Sequence, residues 1–312
     1  MLNRRTILKY ATAFGIIAAT SPAVSASDKP VPVVATFSIL GDMVSRIGGD
    51  HIALTTIVGP GGDAHVYQPT PADAGAVSEA QVLFVNGLEF EGWLDRLADA
   101  SGFSGTRVVA TDGLDPIPFE EEDHHEGEEH GEHEEHEEHE EGDHKEGEDD
   151  HADEDEHGHH HGAFDPHAWQ SLANGEIYAR NIAKALSTAD PANAASYAAN
   201  AEAYIAEMQA LDAEILTMVS ALPEESRTIV TSHDAFGYFA ARYGLTFEAP
   251  QGLSTESEPS AADVAEMITQ IRDENISAVF VESITDNRLL QQIANETGTT
   301  IGGTLYSDAL SG

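Results

Sequence analysis

The chain has 312 residues, enough for two domains of ordinary size, and carries 56 acidic residues against 14 Lys and Arg, for a formal net charge of −42. That surplus argues against nucleic acid or an anionic membrane as partner and favours cations. There is no cysteine, which excludes a disulfide framework and a thiolate metal site, so any bound metal must rest on imidazole, carboxylate or water.

Residues 1–26 read as a targeting segment. Arg4, Arg5 and Lys9 form a basic start, residues 10–19 are mildly apolar, and Val24-Ser25-Ala26 offers small residues for cleavage. The order Arg4-Arg5-Thr6-Ile7-Leu8-Lys9 resembles a twin-arginine export signal, with an ordinary secretory signal as the alternative. The mature chain is expected to begin near Ser27, outside the cytoplasm. No later apolar run approaches the roughly 20 residues of a membrane-spanning helix.

Short β-branched runs at Val31–Phe37, Ile52–Val58, Val82–Val85 and 107–110 alternate with helical patterns at about 40–47, 72–79 and 91–100. Thr70-Pro71-Ala72-Asp73 is a helix start, with Thr as N-cap, Pro in the first turn and an acid three residues on. Strands alternating with helices of this length predict βαβ units and a parallel sheet.

Residues 120–161 hold 12 of the 16 His and 23 of the 56 acidic residues, against the single cation Lys145. The segment has too little apolar surface to offset its ordering entropy and is expected to be a solvated, mobile loop. Imidazole mixed with carboxylate makes it a metal-ion collector rather than a plain acidic spacer, which would need no histidine.

Beyond the loop, helices are expected at about 173–186 and, with Asp190 and Pro191 at its start and Pro223 as its stop, at 191–222. The second carries Tyr197, Ala201, Tyr204, Met208, Leu211, Ile215, Met218 and Leu222 as one apolar stripe and is long enough to act as a strut between two α/β lobes. Alternation then resumes, with strands at 228–232, 245–248, 278–282 and 301–306 and helices at 236–243, 260–275 and 287–297. A last strand of this kind is normally covered by a following helix, so a further helix beyond Gly312 is expected.

Four histidines lie outside the loop: His51, His65, His167 and His233. His65 follows a strand and a Gly-rich turn, His167 stands in a Pro-containing turn, His233 follows a strand directly, and Asp308 follows the last strand. Open parallel sheets put their ligands at such strand ends, and two of these positions precede the strut while two follow it. A cleft between the lobes would collect all four. Three imidazoles and a carboxylate suit tetrahedral zinc, whereas manganese or calcium would use more oxygen. A lone His at a strand end is more often a structural residue, the expectation for His51, taken as exposed, and Asp308 alone could be a helix cap.

Six stretches carry a resemblance to a known family: 62–71 (GDAHVYQPTP), 86–94 (NGLEFEGWL), 165–169 (DPHAW), 231–239 (TSHDAFGYF), 251–260 (QGLSTESEPS) and 305–308 (LYSD). In this order they resemble the zinc-specific solute-binding proteins of bacterial ABC transporters, the high-affinity zinc uptake receptors, in which a His/acid loop occupies the place of 120–161. The resemblance implies an α/β fold of two lobes with parallel sheets flanked by helices. One long rigid helix joins the lobes, and the metal lies in the cleft between them. It implies a signal peptide at 1–26, a first lobe at 27–190, the helix at 191–222 and a second lobe at 223–312. His65, His167, His233 and Asp308 fall on the metal ligands, with Zn²⁺ as transported cargo, an ABC permease as partner, a periplasmic location and a monomeric state. Manganese receptors of the superfamily place Glu where this chain has His233. Two departures stand out: Gln68 where Glu is common, and no helix beyond the Asp308 motif. The rival readings are an extracytoplasmic zinc buffer without a permease and a zinc hydrolase, the latter lacking HExxH and GxSxG.

Overall fold

The computed structural model describes residues 29–119, 163–274, 276 and 278–311, so the targeting segment 1–26 and the loop 120–161 lie outside the described residues. In the first lobe β1 (Val31–Phe37), β2 (Ile52–Val58), β3 (Val82–Val85) and β4 (Thr106–Val109) form one sheet in the order β2-β1-β3-β4, with every pairing parallel. Its helices are α1 (Ser38–Gly48), α2 (Pro71–Glu79) and α3 (Leu94–Ser101). Then come α4 (Leu172–Ala189) and α5 (Ala194–Ser220). The second lobe runs β5 (Thr228–Val230), α6 (Gly237–Tyr243), β6 (Thr246–Glu248), α7 (Ala261–Asp273), β7 (Ala278–Glu282), α8 (Arg288–Thr297) and β8 (Thr300–Leu305). Its sheet, β6-β5-β7-β8, is again parallel and repeats the strand order of the first.

Local chemistry explains the starts and stops. Thr70 and Ser260 each accept the backbone N–H of an Asp three residues on, and that Asp side chain accepts the cap's own N–H, closing a capping box at α2 and α7. Gly102, Gly244 and Gly298 end α3, α6 and α8 in the left-handed conformation that favours glycine. The helix expected from residue 91 begins only at Leu94. Gly87, Leu88 and Glu89 before it have φ values of 89°, 55° and 61°, which turn the chain sharply after β3.

The strut is also shorter at its start than its pattern indicates. Residues Pro191–Asn193 form a separate 3-10 turn, and Asp190 accepts from Asn193 (2.6 Å) and from the Tyr197 hydroxyl (2.9 Å) instead of capping α5. Burial holds the Tyr197 hydroxyl well above its ordinary value, helped by that Asp190 carboxylate. The 27 residues of α5 extend about 40 Å. Its first half buries Tyr197, Ala201, Ile205 and Met208 against α1 and α4, while Leu211, Met218 and Leu222 stay exposed. The expected single stripe is therefore buried only where a first-lobe helix faces it.

Each lobe has its own core, the larger around β1, β3, α1 and α4, the smaller around β5, β7, α7 and α8. Among the described residues no helix is long and apolar enough to cross a membrane. Leu186 on α4 is fully buried in the larger core. Leu186→Ala is expected to lower stability by roughly 2–5 kcal/mol, read by chemical denaturation, because the cavity it leaves cannot collapse completely.

Candidate metal centre

Four loops beyond strand ends meet between the lobes. His65 follows β2, His167 precedes α4, His233 follows β5 and Asp308 follows β8, and all four side chains are buried. One donor atom from each lies within 4.8 Å of every other. Asp308 Oδ2 is 3.2 Å from Nε2 of His65 and 3.2 Å from Nε2 of His233, and Asp308 Oδ1 is 3.7 Å from Nε2 of His167. The Nε2 atoms of His65 and His167 are 3.3 Å apart. His51 stands elsewhere, edge-on to Tyr197, and is half-buried rather than exposed because that ring covers it. Gln68 is exposed.

The sequence reading left the partners of these four side chains without a role, and here the structure adds most. Asp165 Oδ1 lies 2.8 Å from His167 Nδ1 and also accepts the His167 backbone N–H at 2.9 Å. Glu282, the last residue of β7, accepts the N–H groups of Ser232 (2.7 Å) and His233 (2.9 Å) through Oε1. Its Oε2 lies 2.7 Å from His233 Nδ1, an ion-pair distance without an aligned hydrogen bond. A carboxylate on Nδ1 fixes the tautomer and turns Nε2 toward the centre. The signal was present: an acid two residues before His167, and a Glu ending an apolar strand whose other residues are Ala-Val-Phe-Val.

Other buried polar groups brace the loops. Glu91 accepts from Thr36 Oγ1 (2.5 Å) and from the Asn86 N–H (2.7 Å), and burial pushes its carboxyl above the ordinary range despite those bonds. Asn86 donates to the Pro166 carbonyl (2.9 Å) beside His167 and accepts from the Tyr178 hydroxyl (2.6 Å). Bonds also cross between the lobes. Asp63 accepts the His65 N–H with one oxygen (2.9 Å) and the Thr255 hydroxyl with the other (2.6 Å). The Tyr238 hydroxyl donates to the Asp165 carbonyl (2.9 Å), and the N–H of Gly61 donates to the carbonyl of Leu310 (3.1 Å). A cavity of about 490 Å³ opens against His65, lined by Phe90, Glu91, Leu253 and Glu256 among others.

Electrostatics bind the four into one unit. Burial alone would push His233 down, but the carboxylates of Asp308 and Glu282 outweigh it and hold the imidazole well above its ordinary value. Burial would raise Asp308, yet the imidazoles of His233 and His167 hold it well below the carboxylate range. His233, raised on folding, contributes stability below its ordinary range and loses it as pH rises through the raised value. Asp308, depressed on folding, contributes above the ordinary carboxylate range and loses it as pH falls through the depressed value. Metal-free protein is therefore expected to melt highest between those limits. Glu282→Ala should lower its stability by about 3–5 kcal/mol in urea denaturation, because two backbone donors and a charged imidazole lose their buried partner.

Residues 33–312 match the family model described as ZnuA, zinc-uptake complex component A, periplasmic. The chain is 32% identical to the iron-binding protein YfeA of Yersinia pestis, over 98% of this chain and 87% of that protein. It is 30% identical to the manganese ABC transporter substrate-binding lipoprotein PsaA of Streptococcus mitis, over 92% of this chain and 83% of that protein. The periplasmic zinc binding protein TroA of Treponema pallidum superposes with a TM-score of 0.74 at 26% identity, covering 91% of each chain. These are binding proteins, not enzymes.

Proposed function

From the premise that this chain belongs to the ZnuA family of metal-binding receptors of ABC transporters, we propose that it captures Zn²⁺ in the inter-lobe cleft outside the cytoplasm and hands it to a membrane permease. The observation that carries this reading is a set of distances. A tetrahedral zinc with bonds of about 2.0–2.1 Å has edges of about 3.3 Å. Through Oδ2, Asp308 stands 3.2 Å from both His65 and His233, the His65–His167 pair is 3.3 Å, and one donor atom from each of the four lies within 4.8 Å of every other. His65, His167, His233 and Asp308 are accordingly proposed as the ligands. Three imidazoles with one carboxylate favour zinc over manganese, which prefers a larger share of oxygen. The His/acid-rich segment 120–161 would gather Zn²⁺ weakly. The division into a signal at 1–26, lobes at 27–190 and 223–312 and a linking helix at 191–222, together with a monomeric receptor, belongs to the same proposal.

A second reading, manganese or iron as cargo, is favoured by the likeness to PsaA and YfeA. Competition separates the two. Mature protein lacking 120–161, titrated with Zn²⁺ against a chromophoric chelator, is expected to keep one tight site that excess Mn²⁺ does not displace. That site should collapse in His65→Ala, His167→Ala or His233→Ala. Tight binding that vanishes with the loop would instead make the protein a zinc buffer, and displacement by Mn²⁺ would support the second reading.

Acidity provides an independent check. Metal must replace the proton on His233, which is held well above the ordinary value by neighbouring carboxylates although burial opposes it. Zinc affinity is therefore expected to climb with pH through and beyond neutrality and to fall on acidification. An affinity flat from about pH 8 to about pH 5 would contradict imidazole ligation.

A further inference from the structure

The chain contains two tryptophans, and each indole N–H donates to the backbone carbonyl of the residue immediately before a proposed ligand. Trp93 Nε1 donates to the Ala64 carbonyl at 2.7 Å, next to His65. Trp169 Nε1 donates to the Ser307 carbonyl at 2.9 Å, next to Asp308. Gln170 Nε2 reaches the same Ser307 carbonyl at 2.7 Å. We infer that Trp93 and Trp169 are positioning residues of the cleft, one fixing the backbone that carries His65 and the other drawing the Asp308 loop across from the opposite lobe. The inference rests on the cleft being the metal site.

The carboxylates Asp165 and Glu282 lie on imidazole Nδ1 atoms, whereas Asp63 bonds only the backbone N–H of His65 and Asp308 is itself a carboxylate. For His65 and Asp308 the backbone must be fixed instead, and Ala64, Ser307 and Asp308 are fully buried, where water cannot replace a lost donor. The indoles are themselves immobilised. Trp169 packs on Phe37, Phe90 and His167 with ring centroids 4.9, 4.8 and 5.3 Å away, and Phe90 lies 4.7 Å from His65. Trp93 stands edge-on to Tyr67 at 5.4 Å, and the Tyr67 hydroxyl donates to Asp73 at 2.9 Å. Phenylalanine would fill much of either volume and leave the carbonyl without its indole donor. The two tethers differ in reach. Trp93 works within the first lobe, whereas Trp169 sits on the His167 turn and bonds a loop that follows β8 of the second, so the backbones that carry His167 and Asp308 are tied together across the cleft.

The test uses full-length protein and Zn²⁺ alone, with the variants Trp93→Phe, Trp169→Phe and Trp169→Phe/Gln170→Ala. Four readouts are compared: affinity for the first equivalent by chelator competition, release rate by stopped flow, metal-free melting temperature, and the two indole N–H cross-peaks in a ¹H–¹⁵N spectrum, assigned by the single variants. In wild type both cross-peaks should shift with the first equivalent. Each variant should weaken first-equivalent affinity by about tenfold or more, the range for partners that orient metal ligands, and the double variant should show the fastest release. Unchanged affinity and release with only a lower metal-free melting temperature would overturn the inference and leave the cleft reading intact. Indole cross-peaks that ignore the first equivalent would overturn it even if a variant failed to fold. A wild-type protein without a tight first equivalent would overturn the cleft reading and this inference together.

Discussion

A carboxylate buried among three imidazoles is the constraint on which the rest of the structure depends. Asp308 is fully buried with two imidazole nitrogens 3.2 Å from one of its oxygens, and neither it nor His233 can be satisfied by solvent. Such a cluster is costly unless charge is balanced inside it, either by protons shared between His233 and Asp308 or by a cation. The surrounding polar network follows from that need. Asp165 and Glu282 orient imidazoles, Glu91 and Asn86 hold the turn beside His167, and Asp63 joins the His65 loop to Thr255.

The fold supplies the constraint by repetition. Two parallel sheets of the same strand order each deliver loops from the carboxyl ends of their strands toward the shared cleft, where open α/β sheets place ligands. Neither lobe holds a complete set: two imidazoles come from the first, and one imidazole and the carboxylate from the second. A cation held by this set would therefore bridge the two lobes. With α5 packed firmly on the first lobe, relative motion is expected to be small and concentrated in the loops.

Much of this was legible in the sequence because period and spacing are local. β-branched runs bounded by turn residues located the strands, and Thr70 with an acid three residues on located the start of α2 closely. The convergence of His65, His167, His233 and Asp308 was anticipated from strand-end placement, because parallel topology constrains where such loops point. What stayed hidden depends on contacts between distant residues. Glu282 is 49 positions from His233 and Trp169 is 138 from Ser307, and no periodicity encodes such a pairing. The exposure of Leu211 and Met218 on α5 was missed for the same reason, since a stripe states which residues are apolar and not how far the neighbouring helix extends.

The central claim is that these four side chains form the coordination shell of a zinc ion. The most direct measurement is the X-ray absorption spectrum at the zinc edge of protein lacking residues 120–161 and loaded with one equivalent of Zn²⁺. The account predicts four light scatterers at about 2.0–2.1 Å, with the outer-shell pattern of about three imidazoles. A shell of five or six oxygen-dominated ligands, or one with fewer than two imidazoles, would contradict it.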